Sequence, residues 1–378
     1  MDRDTELAMM DELLTLRQDN SFFMQDDVST APVDRYASHE RFALEQQHLF
    51  RTLPLVAAHS GELAGPGDFV TRNLSNLPVL ISRGSDGEAR AFLNVCRHRG
   101  AELVGEASGC KRRFTCPYHA WTYATDGELV NGPHLAEGFP NIDKQDYNLA
   151  RLPLYEKGGL IWVVADTDSN FDIAEFVEPL LPGLAWCEME HLAPAISESL
   201  TIAANWKILA EGGLEAYHFK VAHRKTIGPH FLDNLSNFRM LGEHSVNVLA
   251  KNSMATLANL PRDTWRVREH SNVIFLVFPL DSFLLMEDHI AWINMRPVST
   301  GEAELRLTLL APKDRLGEAD KQHWQQNHAI TKTTLMEDWV LNEGIQRGIA
   351  SGANTHYTFG RFESALEAFN RQIESYLS

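Results

Sequence analysis

Four metal-seeking side chains fall in one short stretch of this 378-residue chain. Cys96 and His98 form a C-x-H pair, and Cys116 and His119 a C-x-x-H pair, with 17 residues between His98 and Cys116. Each pair joins a soft thiolate to an imidazole. A [2Fe–2S] cluster in which two His replace two Cys on one iron needs that ligand set, and its reduction potential lies well above that of an all-Cys cluster. A structural zinc ion also takes two Cys and two His. Zinc fingers, however, usually pair Cys with Cys and His with His, and a helix carries the histidines. Here the pairs are mixed, which favours the cluster and leaves zinc as the alternative. Cys110 lies between the pairs without a nearby partner and reads as an ordinary thiol.

A second pair, His218 and His223, closes the segment N-W-K-I-L-A-E-G-G-L-E-A-Y-H-F-K-V-A-H at 205–223. On a regular helix, positions i and i+5 are about 140° apart. These imidazoles share one metal only if the helix ends or distorts between them. Taken alone, the pair is more often structural.

The surrounding text indicates what positions these groups. F-L-N-V-C and F-T-C-P-Y read as strands entering loops, and Pro117 suits a tight loop and not a helix. L-P-V-L-I-S-R, G-S-D-G and E-A-R-A-F-L-N-V predict a hairpin feeding into Cys96, and Asp126-Gly127 marks a turn just after His119. Amphipathic helices are expected at 5–18 and 39–50. Beyond L-I-W-V-V-A-D the chain reads as α+β: a helix over 207–222, several β-rich runs, and helices at 316–350 and 361–376. Phe275, Phe278, Phe283 and Met286 are candidates for an apolar pocket, although alternating strand residues of this kind are more often plain core.

Residues 93–123, L-N-V-C-R-H-R-G-A-E-L through C-P-Y-H-A-W-T-Y, resemble the Rieske domain of the Rieske non-haem iron oxygenases, the ring-hydroxylating oxygenase α-subunits. Arg97, Arg99 and Gly100 match the family's C-x-H-R-G text. The resemblance implies a β-rich Rieske [2Fe–2S] domain, with Cys96, His98, Cys116 and His119 as ligands, plus a helix-grip catalytic domain with an antiparallel sheet gripping a long helix. N-W-K followed by E-x-x-x-E-x-Y-H-x-x-x-x-H is similar to the family's mononuclear-iron motif. Non-haem Fe(II) that activates O₂ typically sits in a two-His, one-carboxylate triad with open positions. The resemblance makes His218 and His223 the histidines and, from M-E-D-W-V-L-N-E-G-I-Q-R-G at 336–348, Asp338 the carboxylate, with Glu337 as the fallback. It gives Glu215 the role of bridging the two centres across subunits, between His119 of one and His218 of the next. Most members have Asp there; a minority, including enzymes acting on quaternary ammonium compounds such as carnitine, have Glu. Many relatives also carry Asn where this chain has Gly212, so a polar group near the iron is lost or supplied elsewhere.

Composition bounds the remaining possibilities. Lys+Arg minus Asp+Glu is 34 − 51 = −17, which makes nucleic acid and anionic membranes poor partners. A cationic substrate or a basic redox partner fits better, yet aromatic acids dominate the wider family. Four cysteines do not make a disulfide framework. An acidic start without a basic, apolar leader, and the lack of an apolar run of roughly 20 residues, predict a cytoplasmic protein. The expected division is 1–47, a helical segment packing with the catalytic domain; 48–166, the Rieske domain; and 167–378, the catalytic domain. With no G-x-G-x-x-G after a strand, and only Cys110 and Cys187 left over, NAD(P)H electrons are expected through a separate reductase, with or without a ferredoxin. The resemblance implies a homotrimeric terminal oxygenase that inserts oxygen from O₂ into a small organic substrate. The competing reading is a Rieske electron carrier fused to a non-catalytic ligand-binding domain; a zinc-stabilised binding module is a third.

Overall fold

A computed structural model describes residues 1–377. The chain forms two compact units, one of Gln46–Val177 and one joining Met1–Glu45 to the chain from Glu178 onward. The first extends beyond 166 because the short helix Ile173–Val177 packs on the strand Leu154–Lys157.

The first unit is built from three antiparallel sheets. The largest has five strands in the order Arg151–Leu152, Ala89–Leu93, Leu77–Arg83, Asp68–Leu74, Ser108–Cys110. Leu77–Arg83 and Ala89–Leu93 are the expected hairpin, paired from Val79↔Leu93 to Arg83↔Ala89. A three-stranded sheet of Arg113–Thr115, Thr122–Ala124 and Leu129–Asn131 carries the second Cys/His pair. Phe69, Phe92, Phe114, Trp121 and Tyr123 form a core that also takes in Cys96 and Cys116. Removing each ring from water is worth about 1.5–3 kcal/mol, so the two thiols are held within a strongly stabilised aromatic core.

The second unit is a seven-stranded antiparallel sheet backed by a long helix. The strand order is Leu192–Ile202, Glu302–Pro312, Ile290–Ser299, Asp281–Leu285, Ser271–Val277, His244–Lys251, Phe231–Leu241. The 30-residue helix Lys321–Ala350 packs against the first two of these strands. Trp324 is buried against Leu309 and Ala311, and Glu198 accepts from His328 Nε2 at 2.7 Å and Lys332 Nζ at 2.5 Å. The apolar contact carries most of this docking, since half-exposed ion pairs are worth about 1 kcal/mol or less. Among the described residues no helix is long and apolar enough to cross a membrane.

The helix expected over 207–222 is not continuous. It forms Trp206–Glu211, an irregular turn, and a single helical turn Phe219–Ala222. Gly212 and Gly213 end the first piece. Glu215 then competes for the backbone, its carboxylate accepting from the N–H groups of Tyr217 and of His218. N-W-K proves to be an anchor. Asn205 caps the helix through Lys207 N at 2.9 Å, and the buried Trp206 Nε1 and Lys207 Nζ both donate to the buried Glu45, at 2.9 and 2.5 Å. One turn on, Glu211 accepts from Tyr36 and Asn370 at 2.7 Å each. Burial pushes its carboxyl up to about 7, against the pull of those donors and of Lys207.

Candidate metal centres

The two Cys/His pairs occupy matching loops. In each, the residue four beyond the cysteine donates its N–H to the cysteine carbonyl, Gly100 to Cys96 at 2.9 Å and Ala120 to Cys116 at 3.0 Å. Both closing residues are left-handed, Gly100 at φ 77° and Ala120 at φ 56°. Glycine adopts this without cost, which accounts for the G of C-x-H-R-G. The loops bring the rings of His98 and His119 to 4.6 Å between centroids. His98 is stacked on the buried Trp121 at 4.8 Å, with Phe139 edge-on.

Several features fit a metal cluster here. His98 Nδ1 is buried without a hydrogen-bond partner. Burial pushes the Cys96 thiol up, and neighbouring Cys116 adds to the shift, so paired thiolates need a cation between them. Cys96 and Cys116 are buried and free of disulfides, and Cys110 stands exposed elsewhere. Tyr123 completes the surroundings: its hydroxyl accepts from Arg97 N at 3.0 Å, leaving its proton for Cys96 Sγ at 3.5 Å. Trp121 and Tyr123 were not singled out in the sequence, although both lie in the quoted motif text.

In the second unit the break in the helix meets the geometric demand set by i, i+5 spacing. His218 precedes the single turn Phe219–Ala222 and His223 follows it, so their rings converge to 5.1 Å between centroids. The chain turns sharply away after His223. Gly228 N–H closes that turn onto the His223 carbonyl at 2.9 Å, and a Cβ on Gly228 would sit 2.5 Å from the Phe219 carbonyl oxygen.

The long helix brings Asp338 to this point. One ligand atom from each of His218, His223 and Asp338 lies within 4.8 Å of the others. Asp338 Oδ1 is 2.9 Å from His223 Nε2 and 3.5 Å from His218 Nε2, and the latter nitrogen is buried without a hydrogen bond. Each imidazole meets a second carboxylate at its other nitrogen, Glu215 at His218 Nδ1 and Glu337 at His223 Nδ1, the latter at 2.8 Å. This arrangement sets both tautomers so that Nε2 faces the common point. Glu337 also accepts from Thr226 Oγ1 at 2.5 Å, and these two donors hold its carboxyl below the usual range. Burial works against a charge on His223, but Asp338 and Glu337 outweigh it and raise its pKa.

Asp338 also borders a narrow, partly open cavity between the sheet and the long helix. Ile274, Leu284, Ile293 and Met295 line it from the sheet, with Ser282. Of the phenylalanines considered for this role, Phe275 and Phe283 lie on the opposite face, as strand alternation requires, and Phe278 lies beyond the end of its strand. Phe275 and Phe283 pair across neighbouring strands and are fully buried against Trp186 and Trp292. Phe278 stacks on Tyr376. Met286 does not line the cavity.

Two family models match the chain: the Rieske [2Fe–2S] domain over residues 54–154 and the ring hydroxylating alpha subunit (catalytic domain) over 189–378. The carnitine monooxygenase oxygenase subunit of Acinetobacter baumannii is 34% identical over 223 residues, 57% of either chain. The glycine betaine monooxygenase oxygenase subunit of Pseudomonas aeruginosa is 31% identical over 227 residues, 59% of this chain and 52% of the relative. The chain thus spans little more than half the length of the curated relatives it matches. A solved quaternary ammonium Rieske monooxygenase, described with inter-subunit electron transfer, superposes with a TM-score of 0.78 at 23% identity, covering 93% of this chain and 96% of that one. That likeness speaks for the fold.

Proposed function

Since the chain belongs to the ring-hydroxylating α-subunit family and carries a Rieske domain ahead of its catalytic domain, we propose that it is a terminal oxygenase component acting on a small organic substrate. The observation that carries the reading is the convergence of His218, His223 and Asp338 beside an apolar cavity. Two imidazoles and one carboxylate, with the rest of the coordination sphere left open, suit ferrous iron, and Cys96, His98, Cys116 and His119 suit a Rieske cluster. When bound, the iron supplies O₂ activation and the cluster supplies single electrons.

The chain's own groups hold and tune these sites. Cys96 and Cys116 provide the thiolates, Tyr123 donates to one of them, and Trp121 keeps His98 in place. Glu215 and Glu337 keep the Nδ1 protons of His218 and His223, and Asp338 brings the third donor from the long helix. The apolar walls keep bulk water from the reacting carbon. Glu215 is the inter-subunit bridge in this reading, its carboxylate linking His218 to His119 of a neighbouring subunit within a homotrimer. Electrons come from NAD(P)H through a separate reductase, with or without a ferredoxin, in the cytoplasm.

Quaternary ammonium acids and aromatic acids, after the names of the relatives, and uncharged compounds such as steroids form the panel to test. Oxygen uptake by the iron-loaded protein with a surrogate reductase is expected to depend on one compound of such a panel. The competing electron-carrier reading requires no mononuclear iron and no substrate-dependent uptake; that pair of results would replace the proposal.

A further inference from the structure

Asn342 lies one turn beyond Asp338 on the long helix, in the wall of the same cavity. It is 6% exposed, and its Nδ2 is buried without a hydrogen-bond partner. Opposite stands Gly212, where a Cβ would come no closer than 3.7 Å to that nitrogen, so no side chain at 212 screens it. An unpaired buried amide costs about 1–3 kcal/mol, and folds keep such groups where something else completes them.

The rest of the wall says what that something is. Leu209, Ile274, Leu284, Ile293 and Leu335 are apolar, Trp339 is the one aromatic ring, and Ser282 is the other uncharged polar side chain. Among the described residues Asp338 is the only charged group lining the cavity. No side chain of the wall offers a carboxylate a cation, and a quaternary ammonium meets the single ring of Trp339 in place of an aromatic cage, so a charged group gives up hydration here for little return from the walls. A neutral molecule loses little, and one acceptor atom satisfies Asn342.

Resting on the oxygenase reading above, we propose that the substrate is a largely apolar, uncharged molecule with one hydrogen-bond acceptor, such as a carbonyl, ester or ether oxygen. Asn342 Nδ2 donates to that oxygen and so fixes which carbon faces the metal site. The spacing supports this role: Asp338 and Asn342 are four residues apart on one helix face, so a substrate held by the amide lies alongside the metal ligand.

The test is anaerobic equilibrium binding to the holoenzyme with three probes. They are acetophenone, its near-isostere α-methylstyrene in which CH₂ replaces the carbonyl oxygen, and L-carnitine. Wild type is expected to bind acetophenone about tenfold more tightly than α-methylstyrene, the equivalent of one satisfied buried donor. Asn342→Leu is expected to bring the two within about twofold, with the Rieske absorption unchanged and the melting temperature no lower than wild type. Should that variant fail to fold, Asn342→Ala removes the donor without adding bulk or charge and is expected to lose the same preference. An unchanged ratio means that the amide serves an internal water, and overturns the assignment. Failure of wild type to bind either neutral probe, or tighter binding of L-carnitine, overturns the substrate class. Binding needs no turnover, so iron content and oxygen uptake of the same preparations report separately on the oxygenase reading.

Discussion

Glu337 and Asp338 are adjacent on one helix, both are candidates for third ligand of the proposed iron site, and they differ in what each touches. Asp338 Oδ1 faces the Nε2 atoms of both histidines, whereas Glu337 Oε2 takes His223 Nδ1 at 2.8 Å and Thr226 Oγ1 at 2.5 Å. Removing Asp338 leaves two protein ligands, so Asp338→Ala is expected to be purified without mononuclear iron and to show no turnover, with the Rieske absorption intact. Removing Glu337 leaves all three ligands but frees the far side of His223. Carboxylates in that position are worth about 10–100-fold in metal affinity, or ~1.4–2.7 kcal/mol. Glu337→Gln keeps an acceptor for His223 and belongs near the tenfold end; Glu337→Ala, which also strands Thr226, belongs near the hundredfold end. The assay is competition for Fe(II) against a chromophoric chelator, with Rieske absorption reporting intact protein. If Glu337→Ala emptied the site while Asp338→Ala retained iron, the division of roles would be reversed and the reasoning refuted.

Three further outcomes follow from the geometry. Glu215→Ala is expected to slow reoxidation of the reduced cluster on addition of substrate and O₂ while iron is retained, and normal turnover at an unchanged reoxidation rate would remove its bridging role. Tyr123→Phe removes the hydroxyl beside Cys96 Sγ and should lower the cluster midpoint potential by about 20–60 mV, the one-electron equivalent of a ~0.5–1.5 kcal/mol hydrogen bond; an unmoved midpoint in a redox titration would dismiss that bond. Glu211 holds its proton up to about 7 when folded against an ordinary 4.5, so the folded state binds more protons across that interval and stability falls as pH rises through it. Glu211→Gln, which can still accept from Tyr36 and Asn370, should therefore stabilise by up to about 3 kcal/mol at pH 8 and by little below about pH 4.5; a melting-temperature gain that does not depend on pH would contradict the buried carboxyl.

Local chemistry reads directly from the sequence because it is written in neighbouring residues. The mixed Cys/His pairs, the hairpin into Cys96 and the turn at Asp126-Gly127 are short-range features, and the structure contains the hairpin and the turn as expected. Backbone competition was less legible. A helix over 207–222 satisfies the periodicity, and it fails because two glycines end it and the Glu215 carboxylate captures the next N–H groups. Facing was less legible still. Alternation in the strands marks two faces without saying which one is lined with solvent-sized space, so Phe275 and Phe283 went to the core and Ile274 and Ser282 to the cavity.

The sequence alone determined the order of the two domains and supplied the candidate ligands, including the expectation of a distant carboxylate. Which carboxylate meets the histidines was a matter of helical phase between groups more than a hundred residues apart, and no local signal encodes it. The same phase set Glu337 behind His223, Asp338 in front of it and the unpaired amide of Asn342 one turn further along the cavity wall. Packing of the long helix on the sheet fixed that phase, through Trp324 at one end and Gln346 on Asn205 at the other.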